Sequence, residues 1–99
     1  METLKNIINT EKPDILLIQE TKMPEDKVLS RSSLFWKYSV GKAISSRAIS
    51  GGVATFCRAD KFDIIASKGN MHWILVEMQN KSNLEVIYIC NVYGPTHYR

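Results

Sequence analysis

The sequence predicts an α+β fold, in which a helix covers one face of a largely antiparallel sheet. Three observations carry that expectation. A short amphipathic helical pattern feeds a continuous apolar run, Ile15-Leu16-Leu17-Ile18, which reads as a strand buried on both faces. From Gly51 onward, apolar runs alternate with turn clusters, the pattern of strands joined by hairpins. The 99 residues are 44% hydrophobic and 23% charged, a globular composition and not a disordered one.

The elements follow in order. In residues 2–11, Leu4, Ile7 and Ile8 stand at i, i+3 and i+4 with polar residues between them, and Pro13 helps to end the helix. Residues 14–18 form the buried strand. Residues 23–33 hold one apolar pair, and Pro24, Glu25 and Asp26 open a single helical turn. Phe35, Trp36, Tyr38 and Val40 suggest an aromatic strand, and 41–50 a loop or irregular hairpin made basic by Lys42 and Arg47. Four strands remain, at 53–57, 62–66, 72–78 and 85–93. In the third of these, Trp73, Leu75 and Glu77 share one face and Ile74, Val76 and Met78 the other. Asn80-Lys81-Ser82-Asn83 turns it back on the last strand as an antiparallel hairpin. That last strand reads as buried over much of its length, and Gly94-Pro95 stops it.

Length allows one domain, residues 1–99, and a domain this small buries well under about 70% of its unfolded surface. The net charge of +3 favours a phosphate-bearing partner only mildly, since no run of four basic residues occurs. Cys57 and Cys90 lie in apolar segments at a spacing that matches neither a zinc site nor a redox pair. Both are expected as buried, reduced thiols. No segment approaches the roughly 18 apolar residues of a membrane span. The N-terminus carries an early acid and no apolar core, so no signal peptide is expected. An intracellular protein, nuclear or cytoplasmic, is the resulting expectation.

Two polar clusters stand at the ends of apolar strands: Gln19-Glu20-Thr21-Lys22 and Asn91-Val92-Tyr93-Gly94-Pro95. A carboxylate at a strand end is a plausible single ligand for Mg²⁺, which takes hard oxygen donors and keeps several waters. A tyrosine hydroxyl from a neighbouring strand can hold a phosphate oxygen, and Lys22 can meet a phosphate or fix the carboxylate.

The order of Pro13-Asp14-Ile15-Leu16-Leu17-Ile18-Gln19-Glu20-Thr21-Lys22, Ser50-Gly51-Gly52-Val53-Ala54 and Asn91-Val92-Tyr93-Gly94-Pro95 resembles the endonuclease/exonuclease/phosphatase family. These are the Mg²⁺-dependent phosphoesterases that include apurinic endonucleases and DNase I. The motifs look closest to the endonuclease domain of plant LINE-type (non-LTR) retrotransposons, which accompanies a reverse transcriptase. The resemblance implies a DNase I-like four-layer α/β sandwich, of which this chain is the N-terminal half, lacking the first strand and the C-terminal half. One sheet and one helix of that sandwich are expected to be mostly present. It implies that Glu20 ligates the metal, that Lys22 lies near the site, and that Tyr93 contacts the phosphate and helps to align attack. Thr96 stands where the apurinic-endonuclease pattern has an asparagine. Neither His72 nor His97 matches a motif.

The family's Gly-Asp-Phe-Asn-like and Ser-Asp-His-like blocks, which supply the base, have no counterpart here. The resemblance therefore implies a fragment of a Mg²⁺-dependent DNA endonuclease, inactive as it stands. Two alternatives remain: a nucleic-acid-binding module using Lys22, Lys42, Arg47 and Arg58, and a phosphatase acting on a small phosphate ester. Self-association through exposed strand edges is expected, and no membrane partner is.

Overall fold

Two antiparallel three-stranded sheets stacked face to face, with two helices on the outside of one of them, make up the described part of the chain. The computed structural model describes residues 2–19, 21, 24–44, 52–70 and 72–92. Along it run α1 (Glu2–Glu11), β1 (Ile15–Gln19), α2 (Glu25–Phe35), β2 (Ser39–Ile44), β3 (Val53–Arg58), β4 (Phe62–Asn70), β5 (Trp73–Asn80) and β6 (Val86–Val92). The first sheet has the order β1-β3-β2 and the second β4-β5-β6.

β3 holds the layers together. Successive side chains of a strand point to opposite faces, and on β3 both faces are covered. Val53 and Cys57 enter the core between the sheets with Phe62, Ile74, Val76 and Met78. Ala54 and Phe56 face the helices, with Ile8 of α1 and Val28 and Phe35 of α2. Phe35 meets Phe56 edge-on, ring centroids 5.7 Å apart. Large side chains buried this fully stabilise by about 1.5–3 kcal/mol each. On β2, Gly41 lies opposite Phe56, and a Cβ there would overlap the Phe56 ring. The glycine is what lets the ring lie flat across the neighbouring strand.

Several expectations are corrected. The single helical turn at 24–26 is an 11-residue helix, α2. Its buried stripe is Val28, Ser32 and Phe35, with a serine at the centre, so the apolar period is hidden in the sequence. Ser32 is accommodated there because its hydroxyl donates to Leu29 O at 2.8 Å. Phe35 therefore closes a helix and does not begin a strand. β2 takes residues expected as loop, while 45–51 lie outside the described residues.

β1 is not covered on both faces: it is an edge strand, and Leu17 is 43% exposed. The twice-covered strand is β3. β6 is likewise half-covered, with Val86, Tyr88 and Val92 facing out, because nothing among the described residues packs on the outer face of its sheet. Cys90 shares that face and is exposed, whereas Cys57 is buried; both are free thiols. Instead of one sheet and one helix, the described residues form two of each. The hairpin at 80–83 and the two faces of β5 are as expected. Among the described residues, no helix is long and apolar enough to cross a membrane.

Candidate functional site

β1 and β3 pair antiparallel with Gln19 opposite Val53, so the end of β1 lies beside the start of β3. β6 ends at the same end of the molecule, in the facing sheet. One buried side chain ties the three together. Asn91, fully buried, donates from Nδ2 to Ile18 O at 3.2 Å and to Ala54 O at 3.0 Å. Its Oδ1 accepts from Gln19 Nε2 at 3.3 Å. Gln19 Nε2 also donates to Val92 O. Both amide groups thus span from one sheet to the other. A buried amide that satisfies its donors and acceptor this way holds a register, since leaving any partner unpaired is costly.

Gly52 joins the same end. Gly52 has φ of +94°, a conformation that glycine takes without steric cost. Its carbonyl accepts from Thr21 N at 3.3 Å, and a Cβ on Gly52 would overlap Thr21 Oγ1. The backbone after β1 and the backbone before β3 therefore approach as closely as they do only because residue 52 lacks a side chain.

Glu20, Lys22 and Tyr93, the residues singled out from the sequence, lie outside the described residues, as do Arg47 and His97. In the chain, Glu20 stands between Gln19 and Thr21, and Tyr93 directly follows Val92. The structure brings together these immediate neighbours, Gln19, Thr21, Gly52, Asn91 and Val92. Asn91 was legible only as one member of a polar cluster. Its role as an inter-sheet pin comes from a polar residue at an inward position of a strand, opposite Ile74. His72 is exposed and stands one residue before Trp73, which pairs with Val92, so it belongs to this end as well.

Of the other candidates, Lys42 is exposed on β2. Arg58 is engaged elsewhere: Nη2 meets Asp60 at 2.7 Å and Nη1 lies 3.8 Å from Asp14. The hydrogen bond to Arg58 holds the Asp60 carboxyl below its usual range. Arg58 lies at the opposite end of β3 from Gly52.

The sequence model of the Endonuclease/Exonuclease/phosphatase family matches residues 1–92. The chain belongs to this family. No curated protein matches it significantly. For a member of the endonuclease/exonuclease/phosphatase family, the two stacked antiparallel sheets with helices on one side are a partial DNase I-like sandwich. The family is one of phosphodiesterase and nuclease type and is generally Mg²⁺-dependent. The donor chemistry of the described residues suits a hard cation only in part. Thr21 and Gln19 offer neutral oxygens, the Asn91 amide is committed to its hydrogen bonds, and no group of three or more His, Cys, Asp or Glu gathers among the described residues.

Proposed function

We propose that this end of the sandwich belongs to a Mg²⁺-dependent phosphodiesterase of the DNA endonuclease type, akin to the endonucleases of retrotransposons. One observation carries the reading. The Gln19–Thr21 block, Gly52 and the Asn91–Val92 block, far apart in sequence, meet at one end of two stacked sheets. Glu20 would hold the Mg²⁺, which when bound neutralises charge on a scissile phosphate. Lys22 supplies a point charge for the phosphodiester anion, and the Tyr93 hydroxyl donates a hydrogen bond to a phosphate oxygen. The Gln19–Asn91–Val92 network keeps the two strand ends in register, which supports a fixed spacing between a metal held after β1 and a phosphate held after β6.

These 99 residues include neither of the family's base-bearing blocks, and we assign no base. Without a group to deprotonate water, in-line attack loses orders of magnitude in rate. We therefore propose that the chain by itself does not turn over. The test is nicking of a supercoiled plasmid by the purified chain with Mg²⁺, with EDTA and Glu20→Gln as controls. The expected result is no nicking above the controls. Nicking that needs both Mg²⁺ and Glu20 would overturn the inactivity and direct attention to His97 and His72 as the base, or to a second copy of the chain.

A further inference from the structure

The end of the molecule opposite the strand-end site opens into a cleft of about 800 Å³. The two ends lie at opposite termini of β1, separated by five residues of extended chain, or about 17 Å. One wall is α1, which carries Lys5, continued by Lys12 just past its end. The other is the end of α2 and the approach to β2, with Trp36, Lys37 and Tyr38. Arg58 and Asp60 close it, paired with each other at 2.7 Å. Asp60, the only carboxylate among the described residues that line the cleft, is thereby already neutralised. Among the described residues, none pairs a carboxylate with Lys5, Lys12 or Lys37.

Two further features single out the ligand. Tyr38 is 69% exposed, and Lys37 Nζ stands over its ring, 5.3 Å from the centroid, so the cation takes one face of an otherwise exposed aromatic. Lys12, whose N–H caps α1 by donating to Ile8 O at 3.0 Å, has φ of +51°. Glycine is the ordinary residue for that left-handed position. A lysine held there in a conformation unfavourable to side chains points to a use for its charge.

We propose that this cleft binds a short stretch of single-stranded nucleic acid, its phosphates on Lys5, Lys12 and Lys37 and a base stacked on Tyr38. Cations that track a backbone, beside a ring open to any base, are the common elements of single-strand recognition. A duplex keeps its bases stacked on one another and away from such a ring. The cleft is of the size that takes a small ligand or one to two nucleotides. The proposal uses none of the strand-end residues and stands apart from the hydrolytic reading.

The test is fluorescence anisotropy of labelled dT10 with the full chain, in EDTA to silence cation-dependent binding at the other end. Duplex dT10·dA10 and inorganic polyphosphate are the comparisons, and thermal melts accompany each variant. The expected order is dT10 tighter than the duplex. Lys12→Gly should melt no lower than the parent yet weaken dT10 binding, and flatten the salt dependence by about 0.7 in log–log slope. Tyr38→Ala should weaken it about fivefold or more, and Tyr38→Phe should retain it. Glu20→Gln should leave it unchanged, so a failure here and a failure of the nicking reading are distinguishable. Equal affinity for duplex, equal and Tyr38-independent affinity for polyphosphate, or indifference to both Lys12→Gly and Tyr38→Ala would overturn the proposal.

Discussion

Asn91 is where a single residue decides most. Its side chain reaches Ile18 O and Ala54 O in the opposite sheet and receives Gln19, all from a fully buried position. Asn91→Ala should cost about 1–3 kcal/mol in a denaturant melt, by leaving buried groups without their partner. Asn91→Asp keeps the shape but turns an acceptor, charged at neutral pH, toward two carbonyls, and should cost more. An Asp variant as stable as the parent would mean that the pin is not made. Cys57 provides a second test. Burial, with a smaller push from Asp63 offset by Lys81, raises its thiol from the ordinary 9.0 to about 11. The unfolded thiol then ionises before the folded one, so unfolding releases a proton between those values. Stability should fall as pH rises from about 9 to about 11, and Cys57→Ala should remove that part of the slope. In native labelling with a thiol reagent, Cys90 should react at once and Cys57 only on unfolding. Equal labelling would contradict the burial of β3.

At the scale of elements, β3 is the strand on which both cores depend, and it carries one imperfection. Thr55 is fully buried, and its hydroxyl has no hydrogen-bond partner among the described residues. By alternation it sits on the same face as Val53 and Cys57, in the apolar core between the sheets. Thr55→Val should therefore raise stability by about 1 kcal/mol, read from the denaturant midpoint at unchanged slope. A loss of that size would show that the hydroxyl is satisfied. Elements were legible where their period was clean. The alternation of β5, the turn cluster at 80–83 and the apolar side of α1 need only local pattern to read. α2 was not legible, because Ser32 interrupts its buried stripe and the helix then runs into Phe35 and Trp36, residues with strand preference. The coverage of β1 was misread for a different reason. An apolar run of four shows that a strand has apolar neighbours, but not whether it lies at the edge or the centre of its sheet. β1 is at the edge, and β3, interrupted by Thr55, is the centre.

For the whole molecule, three stretches distant in sequence converge on one end of the sandwich, where we propose a cation-dependent phosphoester site around Glu20. That convergence was partly legible, since Gln19 and Asn91 each close an apolar run with polar residues, and strand ends gather functional groups. The inter-sheet amide pin was not, because it depends on how two sheets stack. The other end, with Lys5, Lys12, Lys37 and Tyr38, was invisible to sequence patterning. Its cations come from α1, from the residue just past its end and from the segment after α2, which meet only in the fold. The most direct measurement is an NMR titration with Mn²⁺, whose unpaired electrons broaden nearby amide signals. The signals of Gln19, Thr21, Gly52, Asn91 and Val92 should broaden first and together, Mg²⁺ should compete, and Glu20→Gln should abolish the effect while leaving the rest of the spectrum in place. Broadening that spares these residues, or that persists undiminished in Glu20→Gln, would contradict the site.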